Sequence, residues 1–316
     1  MMEKRILIAA ILSAVFMTWY AQSVLKGAGS VSHRPAAPAA NPATGETPPP
    51  QLKLPVGLNE DSIMLESPRI QVEIGTESAA IRSVILNDFL DAAKIGPLRI
   101  RSEQPLLSVL RGGVTLQWKL LSQSPDAATF SSSDDAHNYY NITYQVDHDN
   151  SNLQMVLSRS TGTQPDSGSN LELFAGWAKS DSLSDRQNLL ELYAVQYDTV
   201  KKPKYTNLRA PIRAERTVPR GTSVISLTDR YFCQSIRFTE EFAVTAIPSK
   251  TDTIAAQITP NPGTDGAYRA TVYFGPRDYF YLRGAGFERA FPIGILGQIG
   301  LILLSLLNAI AKIVHN

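Results

Sequence analysis

Cysteine is nearly missing from this chain: of 316 residues only Cys233 carries a thiol. One thiol excludes an intrachain disulfide and any metal site built from several cysteines. Charge of one sign is missing too, because 30 Lys and Arg stand against 29 Asp and Glu for a formal net charge of +1. Such a balance offers nucleic acid no general attraction, and no nucleic-acid partner is expected. Histidine is scarce, at four residues, and none lies in a pattern that chemistry needs. His33 falls in a Pro/Ala-rich stretch, His137 and His148 in polar, turn-like stretches, and His315 beside the last residue. No HExxH pair, phosphate-binding GxxxxGK[ST] loop or GxSxG elbow occurs. Without a base to set beside a serine or a cysteine, no nucleophile site can be assembled on paper. The expectation is therefore no catalytic, cofactor-binding or metal-binding residue, no cofactor, and a protein that is not an enzyme.

What the sequence does contain begins at its first residues. Lys4 and Arg5 precede an apolar run from Ile6 to Leu25, interrupted only mildly by Ser13, Thr18, Gln22 and Ser23. As a helix those residues span roughly 30 Å, the hydrocarbon thickness of a bilayer. Basic residues before the run favour a cytoplasmic N-terminus and export of the rest. Residues 1–26 thus read as a transmembrane anchor. Ala21-Gln22-Ser23 also permits a cleaved signal peptide, although bulky Trp19 and Tyr20 argue against efficient cleavage. Residues 27–54 are rich in Pro, Ala, Gly, Ser and Thr and cannot build a core, so they read as a tether.

From 55 to 283 the apolar residues recur mostly with period two in short runs, the pattern of strands with one buried face. Examples are Ile70–Ile74, Val114–Leu120, Asn141–Val146, Leu153–Leu157, Leu171–Phe174 and Tyr268–Phe274. Gly112-Gly113, Asp147–Asn152 and Pro262-Gly263 supply turn chemistry between them. Many short strands without long helical patterns predict a mainly β, twisted antiparallel sandwich. Residues 284–316 change character again. Gln298, Ser305 and Lys312 recur every seven residues, with Asn308 and His315 three further on, which gives an otherwise apolar segment one polar face. An amphipathic helix in the membrane interface fits this best, with a second span or a packed globular helix as alternatives.

Four groups of residues are candidates for more than packing. Cys233 lies in a strand-like run and reads as a small core residue. Asp134-Asp135 and Glu240-Glu241 read as solvated surface. Trp118 and Trp177 occupy strand-like positions and read as core, the alternative being the aromatic walls of a sugar-binding groove. Lys201, Lys202, Lys204, Arg209, Arg213, Arg216 and Arg220 form a basic stretch, read either as a solvated loop or as a contact for anionic lipid or an acidic partner.

Taken in order, four places resemble the N-terminal part of the YidC-type membrane protein insertases of bacteria. They are Glu3-Lys4-Arg5-Ile6-Leu7 entering an apolar helix, Val72-Glu73-Ile74 with Ala80–Val84, Asp229-Arg230-Tyr231-Phe232, and Val272–Tyr279 with its Phe-Gly-Pro-Arg-Asp-Tyr core. In that family, glycines often stand where Ala79 and Ala80 are. In the last place Gly275 is expected to permit a bend, and Pro276 to end the strand and suit a helix start. The resemblance implies a large twisted antiparallel β-supersandwich in the periplasm and a bacterial inner-membrane location. It also implies a role in inserting and folding new inner-membrane proteins, with or without the Sec translocon. The implied partners are nascent membrane proteins, Sec translocon components and the lipid bilayer. The family's groove-bearing helices follow the interfacial helix and match nothing up to Asn316, so their place is expected in a further C-terminal part or a second chain. The rival reading is a membrane-tethered β-sandwich that binds carbohydrate or polypeptide, or a sugar-processing enzyme on the same fold.

Overall fold

The computed structural model describes residues 60–90, 95–134, 137–160, 171–178, 190–197, 202–218, 220–249 and 253–292, with Gly300 beyond; the side chains of 101–105 are excepted. All of these belong to one unit, Leu52–Asn316. The expected anchor and tether and, of the expected amphipathic helix region 284–316, residues 293–299 and 301–316 lie outside the described residues, as do His33, Asp135, Lys201 and His315; 285–292 form turns rather than helix. Among the described residues no helix is long and apolar enough to cross a membrane.

Strands β1 (Ser62–Glu66), β2 (Ile70–Gly75), β3 (Ile81–Leu90) and β4 (Pro97–Leu106) form a four-stranded antiparallel meander. A second, 14-stranded antiparallel sheet follows in the chain. Its first members are β5 (Ser108–Arg111), β6 (Val114–Thr115), β7 (Lys119–Gln123), β8 (Ala127–Ser133), β9 (Tyr139–Val146), β10 (Asn152–Ser160) and β11 (Leu171–Ala178). It continues through β12 (Glu191–Gln196), β13 (Lys204–Arg209), β14 (Arg216–Thr217), β15 (Thr222–Thr228), β16 (Phe232–Ile247), β17 (Thr253–Pro260) and β18 (Tyr268–Pro276). A short helix α1 (Tyr279–Gly284) ends the series. The main order is β6-β5-β11-β17-β16-β18-β10-β9-β8-β7, with β15, β12 and β13 branching in turn from β16.

Alternation explains the strands. In β9 the buried residues are Tyr140, Ile142, Tyr144 and Val146, and Ile142 faces Phe130 of β8 on one side and Leu157 of β10 on the other. These side chains join Leu65, Val72 and Ile74 of the meander in one core, so the two sheets form a β-sandwich. Each large apolar side chain so buried stabilises the fold by about 1.5–3 kcal/mol. Strand β16 is the hinge of the large sheet: Phe232–Phe238 pair with β18 and Phe242–Ile247 with β17. Between those halves the partner β15 skips register from Thr222 to Val224.

One expected strand is divided. The run 114–120 leaves the sheet at 116–118, where the Leu116 amide donates to Val109 O at 3.2 Å and the Trp118 amide to Glu77 O at 2.7 Å. Both side chains stay buried, as their period-two spacing on one face leads one to expect, although the sheet pairing is interrupted there. The turn that Trp118 meets is held from inside by Glu60, whose Oε2 accepts from the amides of Glu77 (2.6 Å) and Ser78 (2.7 Å). Ala79 in that turn has φ of 48°, the left-handed conformation that favours glycine, and its carbonyl receives the Tyr144 hydroxyl at 2.9 Å.

Candidate functional site

The chain leaves the sheet through Gly275-Pro276-Arg277-Asp278, and here the expected roles need correcting. Gly275 is a strand residue opposite Cys233, not a bend. A side chain on it would meet the Tyr273 phenol at 2.4 Å, so its bareness makes room for the Tyr273 hydroxyl to reach Pro276 O at 3.0 Å. Pro276 does end the strand as expected, but the helix starts three residues later, with Asp278 as N-cap accepting from the Phe280 amide at 2.9 Å.

After α1 the backbone turns back through Gly286, at φ of 79°, and the Phe287 amide closes onto Leu282 O at 2.6 Å. The strands hold this segment from three sides. Asn152 Nδ2 donates to Ala285 O (3.3 Å), Arg237 Nη1 to Gly286 O (2.8 Å) and the Tyr205 hydroxyl to Arg289 O (3.3 Å). Phe287, Ala290 and Phe291 are buried in a separate apolar cluster with Tyr193, Val195, Val224, Cys233, Tyr273 and Leu282.

Arg277 is the centre of this junction. Its guanidinium donates to Glu191 Oε2 at 3.0 Å and to the Tyr193 hydroxyl oxygen at 3.1 Å. It lies against two rings that meet edge-on, 5.0 Å from the Tyr193 centroid and 4.6 Å from that of Phe291, the two centroids being 5.2 Å apart. Glu191 is nearly buried and also accepts from the Tyr193 hydroxyl (2.8 Å), Arg209 Nε (2.8 Å) and Asn207 Nδ2 (3.3 Å). Burial alone raises a carboxyl pKa, but these hydrogen bonds outweigh it and hold Glu191 below the usual carboxylate value. The Arg277 amide donates to Tyr231 O at 2.7 Å, which ties in the Asp-Arg-Tyr-Phe stretch. There Asp229 is buried. Its Oδ1 accepts from the amides of Tyr231 and Phe232, both at 2.8 Å, and burial raises its pKa.

Around the same junction aromatic side chains gather. Phe89 meets Phe232 (5.8 Å) and Tyr281 (5.4 Å) edge-on, while Tyr231, Phe280 and Tyr281 are each more than 40% exposed. Arg209, which bonds Glu191, also lines a cleft of 260 Å³ together with Leu208, Pro211, Ile212, Arg213 and Arg216. Three members of the basic stretch thus meet in one place; Lys202, Lys204 and Arg220 do not line it.

The remaining candidates take structural positions. Cys233 is fully buried and its thiol is pushed up to about 12. Trp118 and Trp177 are buried in the core and wall no open groove. Glu240 and Glu241 are exposed, but Asp134 is not the surface carboxylate expected: it accepts from the Asn138 amide (3.0 Å) and the Tyr140 hydroxyl (2.9 Å) and pairs with Arg111. His137 and His148 are exposed, the latter 3.6 Å from Asp126. Among the described residues no three His, Cys, Asp or Glu converge to hold a metal ion. The sequence reading did not find the Glu191–Arg277 pair, which joins residues 86 apart. Its signal was a lone carboxylate in the apolar run Leu190–Val195, since a buried charge needs a partner.

The described fold is that of an antiparallel β-sandwich. Solved structures similar to it include a putative aldose 1-epimerase of Escherichia coli, at TM-score 0.45 and 10% identity over 68% of this chain and 99% of that one. Another is a galactose mutarotase-like protein of Lactobacillus casei, at TM-score 0.48 and 8% identity over 69% and 100%. These likenesses bear on the fold alone. They do correct one expectation: with an epimerase among the similar structures, the chain is not to be set outside the enzymes on the strength of its sequence. No protein-family model matches the chain. In sequence it is similar to the membrane protein insertase YidC of Geobacter metallireducens, at 24% identity over all of this chain and 65% of that protein. The chain therefore spans about two thirds of the length of that relative.

Proposed function

We propose that this chain is the front portion of a bacterial membrane protein insertase. In this reading residues 1–26 anchor it in the inner membrane with the N-terminus in the cytoplasm, and 27–54 tether the periplasmic sandwich of 55–283. Residues 284–316 begin the path back into the lipid interface. The sandwich acts as a scaffold that holds this returning segment in a set direction beside the Sec machinery while nascent membrane proteins enter. A further C-terminal part or a second chain supplies the groove.

The observation that carries this reading is the junction at Arg277. A spacer domain has no need to grip the chain that leaves it, whereas here three strand side chains bond the backbone of 285–289, and Arg277 stacks on Phe291. Directly after Phe291 and Pro292 the sequence becomes the mainly apolar stretch 293–314. Similarity to an insertase along the full chain agrees with it. The test is replacement in a bacterium depleted of its own insertase. The complete gene that encodes this chain should restore insertion of a single-span reporter, read by protease protection. A photo-reactive side chain at exposed Tyr281 should cross-link to the reporter or to a translocon subunit. No restored insertion and no such cross-link would refute the proposal.

A further inference from the structure

The cleft beside Glu191 has an electrostatic imbalance that its own fold leaves open. Arg209, Arg213 and Arg216 converge on it from the end of β13, the following turn and β14. Arg209 has Glu191 as its carboxylate, through Nε alone, so its outer nitrogens remain available as donors. Among the described residues neither Arg213 nor Arg216 has an ion-pair partner, and both are exposed. Glu191 itself is shared with Arg277, so one carboxylate faces two guanidiniums before the other two are counted. Like charges brought together repel, and an anion held by several guanidinium forks removes that cost. The floor is different in kind: Leu208, Pro211 and Ile212 give the cleft an apolar wall. At 260 Å³ it has room for a headgroup and the start of a glycerol ester, and is too small for a folded partner.

We propose that this cleft binds the phosphate group of an anionic phospholipid, the guanidiniums taking the phosphate oxygens and Leu208, Pro211 and Ile212 the carbon atoms next to it. The lipid is favoured over a free anion by what surrounds the cleft. Through Glu191 it is linked to Arg277, and through Arg277 to two membrane-directed features. One is the exposed Tyr231, Phe280 and Tyr281, residue types that settle at headgroup level. The other is Phe291, where the chain continues into its apolar stretch. The inference goes beyond the insertase reading, which it does not require: a membrane-anchored protein of any activity would use such a site, so the lipid and insertion measurements fail independently.

The test uses the full chain in a mild non-ionic detergent, titrated calorimetrically with dihexanoyl phosphatidylglycerol, dihexanoyl phosphatidylcholine, inorganic phosphate and an oligoglutamate peptide. The phosphatidylglycerol is expected to bind about tenfold or more tighter than each of the others. R213E/R216E and the milder R213Q/R216Q are expected to lose that preference, with circular dichroism unchanged because both positions are exposed. R220E, in the same basic stretch but outside the cleft, is expected to bind as the parent does. Equal binding of inorganic phosphate would make this a free-anion site, tighter oligoglutamate binding a protein contact, and equal loss in R220E a diffuse charge effect. Each of these, or no binding at all, overturns the proposal.

Discussion

Arg277→Ala is the sharpest perturbation of the junction. It deletes a charge-assisted hydrogen bond to Glu191, of a kind worth about 1.5–3 kcal/mol, and ring contacts to Tyr193 and Phe291 worth about 0.5–1 kcal/mol where partly exposed. The Arg277 side chain is 26% exposed and Arg209 would remain on Glu191, so the lower ends of these ranges apply. A loss of about 2 kcal/mol corresponds to roughly 30-fold in an equilibrium constant. Because its ring contact to Phe291 bridges the sheet and the segment after α1, the loss should appear as local opening rather than global unfolding. Hydrogen exchange of the full chain in mild detergent, followed by mass spectrometry, is the assay. Amides of Phe287 and Ala290 are expected to exchange about 30-fold faster, while the β8–β9 hairpin stays unchanged. Arg277→Lys keeps the charge but not the planar fork, and should fall between the two. Exchange within twofold of the parent over 285–291, or an equal rise in β8–β9, would refute the idea of a local clamp.

Three further outcomes follow from the same structure. The folded Glu191 pKa lies below its unfolded value, so its contribution is fully present above about pH 4.3 and is lost as pH falls through the folded value. The melting temperature should therefore drop on acidification from pH 5 to 3, less steeply in Glu191→Gln; equal slopes would remove Glu191 from the explanation. Asp229 has the opposite sign: with its pKa raised by burial, its ionisation costs stability as pH rises through the folded value. Asp229→Asn keeps an acceptor for the Tyr231 and Phe232 amides and should match or exceed the parent in urea unfolding at pH 7. Asp229→Ala orphans both amides and should cost about 2 kcal/mol, so equal damage from the two variants would contradict this account. In Gly75→Ala the new methyl would meet Glu60 Oε1 at 2.2 Å and displace the carboxylate that holds the 75–80 turn. A loss of about 1–3 kcal/mol is expected, and an unchanged urea midpoint would show that Glu60 does not hold the turn.

The sandwich was legible because period-two burial is a local signal: β2, β9, β10, β11 and β18 lie where alternation put them. The break at 116–118 was not, since the group that takes the Trp118 amide away from the sheet is Glu77 O, in a turn about 40 residues upstream and outside any strand window. Asp134 misled for a related reason. Beside Asp135 and ahead of a turn it looks solvated, yet Asn138, Tyr140 and Arg111 surround it only once β5 and β9 are in place. Position mattered more than residue type in the exit motif. Its Gly-Pro suggested a bend, but Gly275 is there for the Tyr273 phenol, and the turning is done eleven residues later at Gly286. The convergence of Arg209, Arg213 and Arg216 was half visible: the sequence showed a basic stretch, and only the fold chose which three of its members share a cleft.

A nearly buried ion pair is a weak reason for stability, since well-packed apolar residues of similar size often do as well or better. Val195, on Glu191's face of β12, is fully buried, and Arg209 is 65% exposed and free to turn to solvent, so an apolar residue at 191 is tolerable. What a carboxylate and a planar guanidinium add is direction, because two charge-assisted bonds fix the guanidinium against the edge-on Tyr193–Phe291 ring pair and leave Phe291 little freedom to tilt. The double variant Glu191→Leu with Arg277→Met separates these roles. Its melting temperature is expected within a few degrees of the parent, whereas the segment after α1 should lose its fixed heading. Spin labels on cysteines introduced at exposed Tyr139 and Arg289 would report that heading as a distance distribution, narrow in the parent and broadened in the double variant. Cys233 is fully buried and should not take label. If the distribution stays as narrow as in the parent while stability is kept, the pair does not orient the exit, and the scaffold role assigned to the junction loses its physical basis.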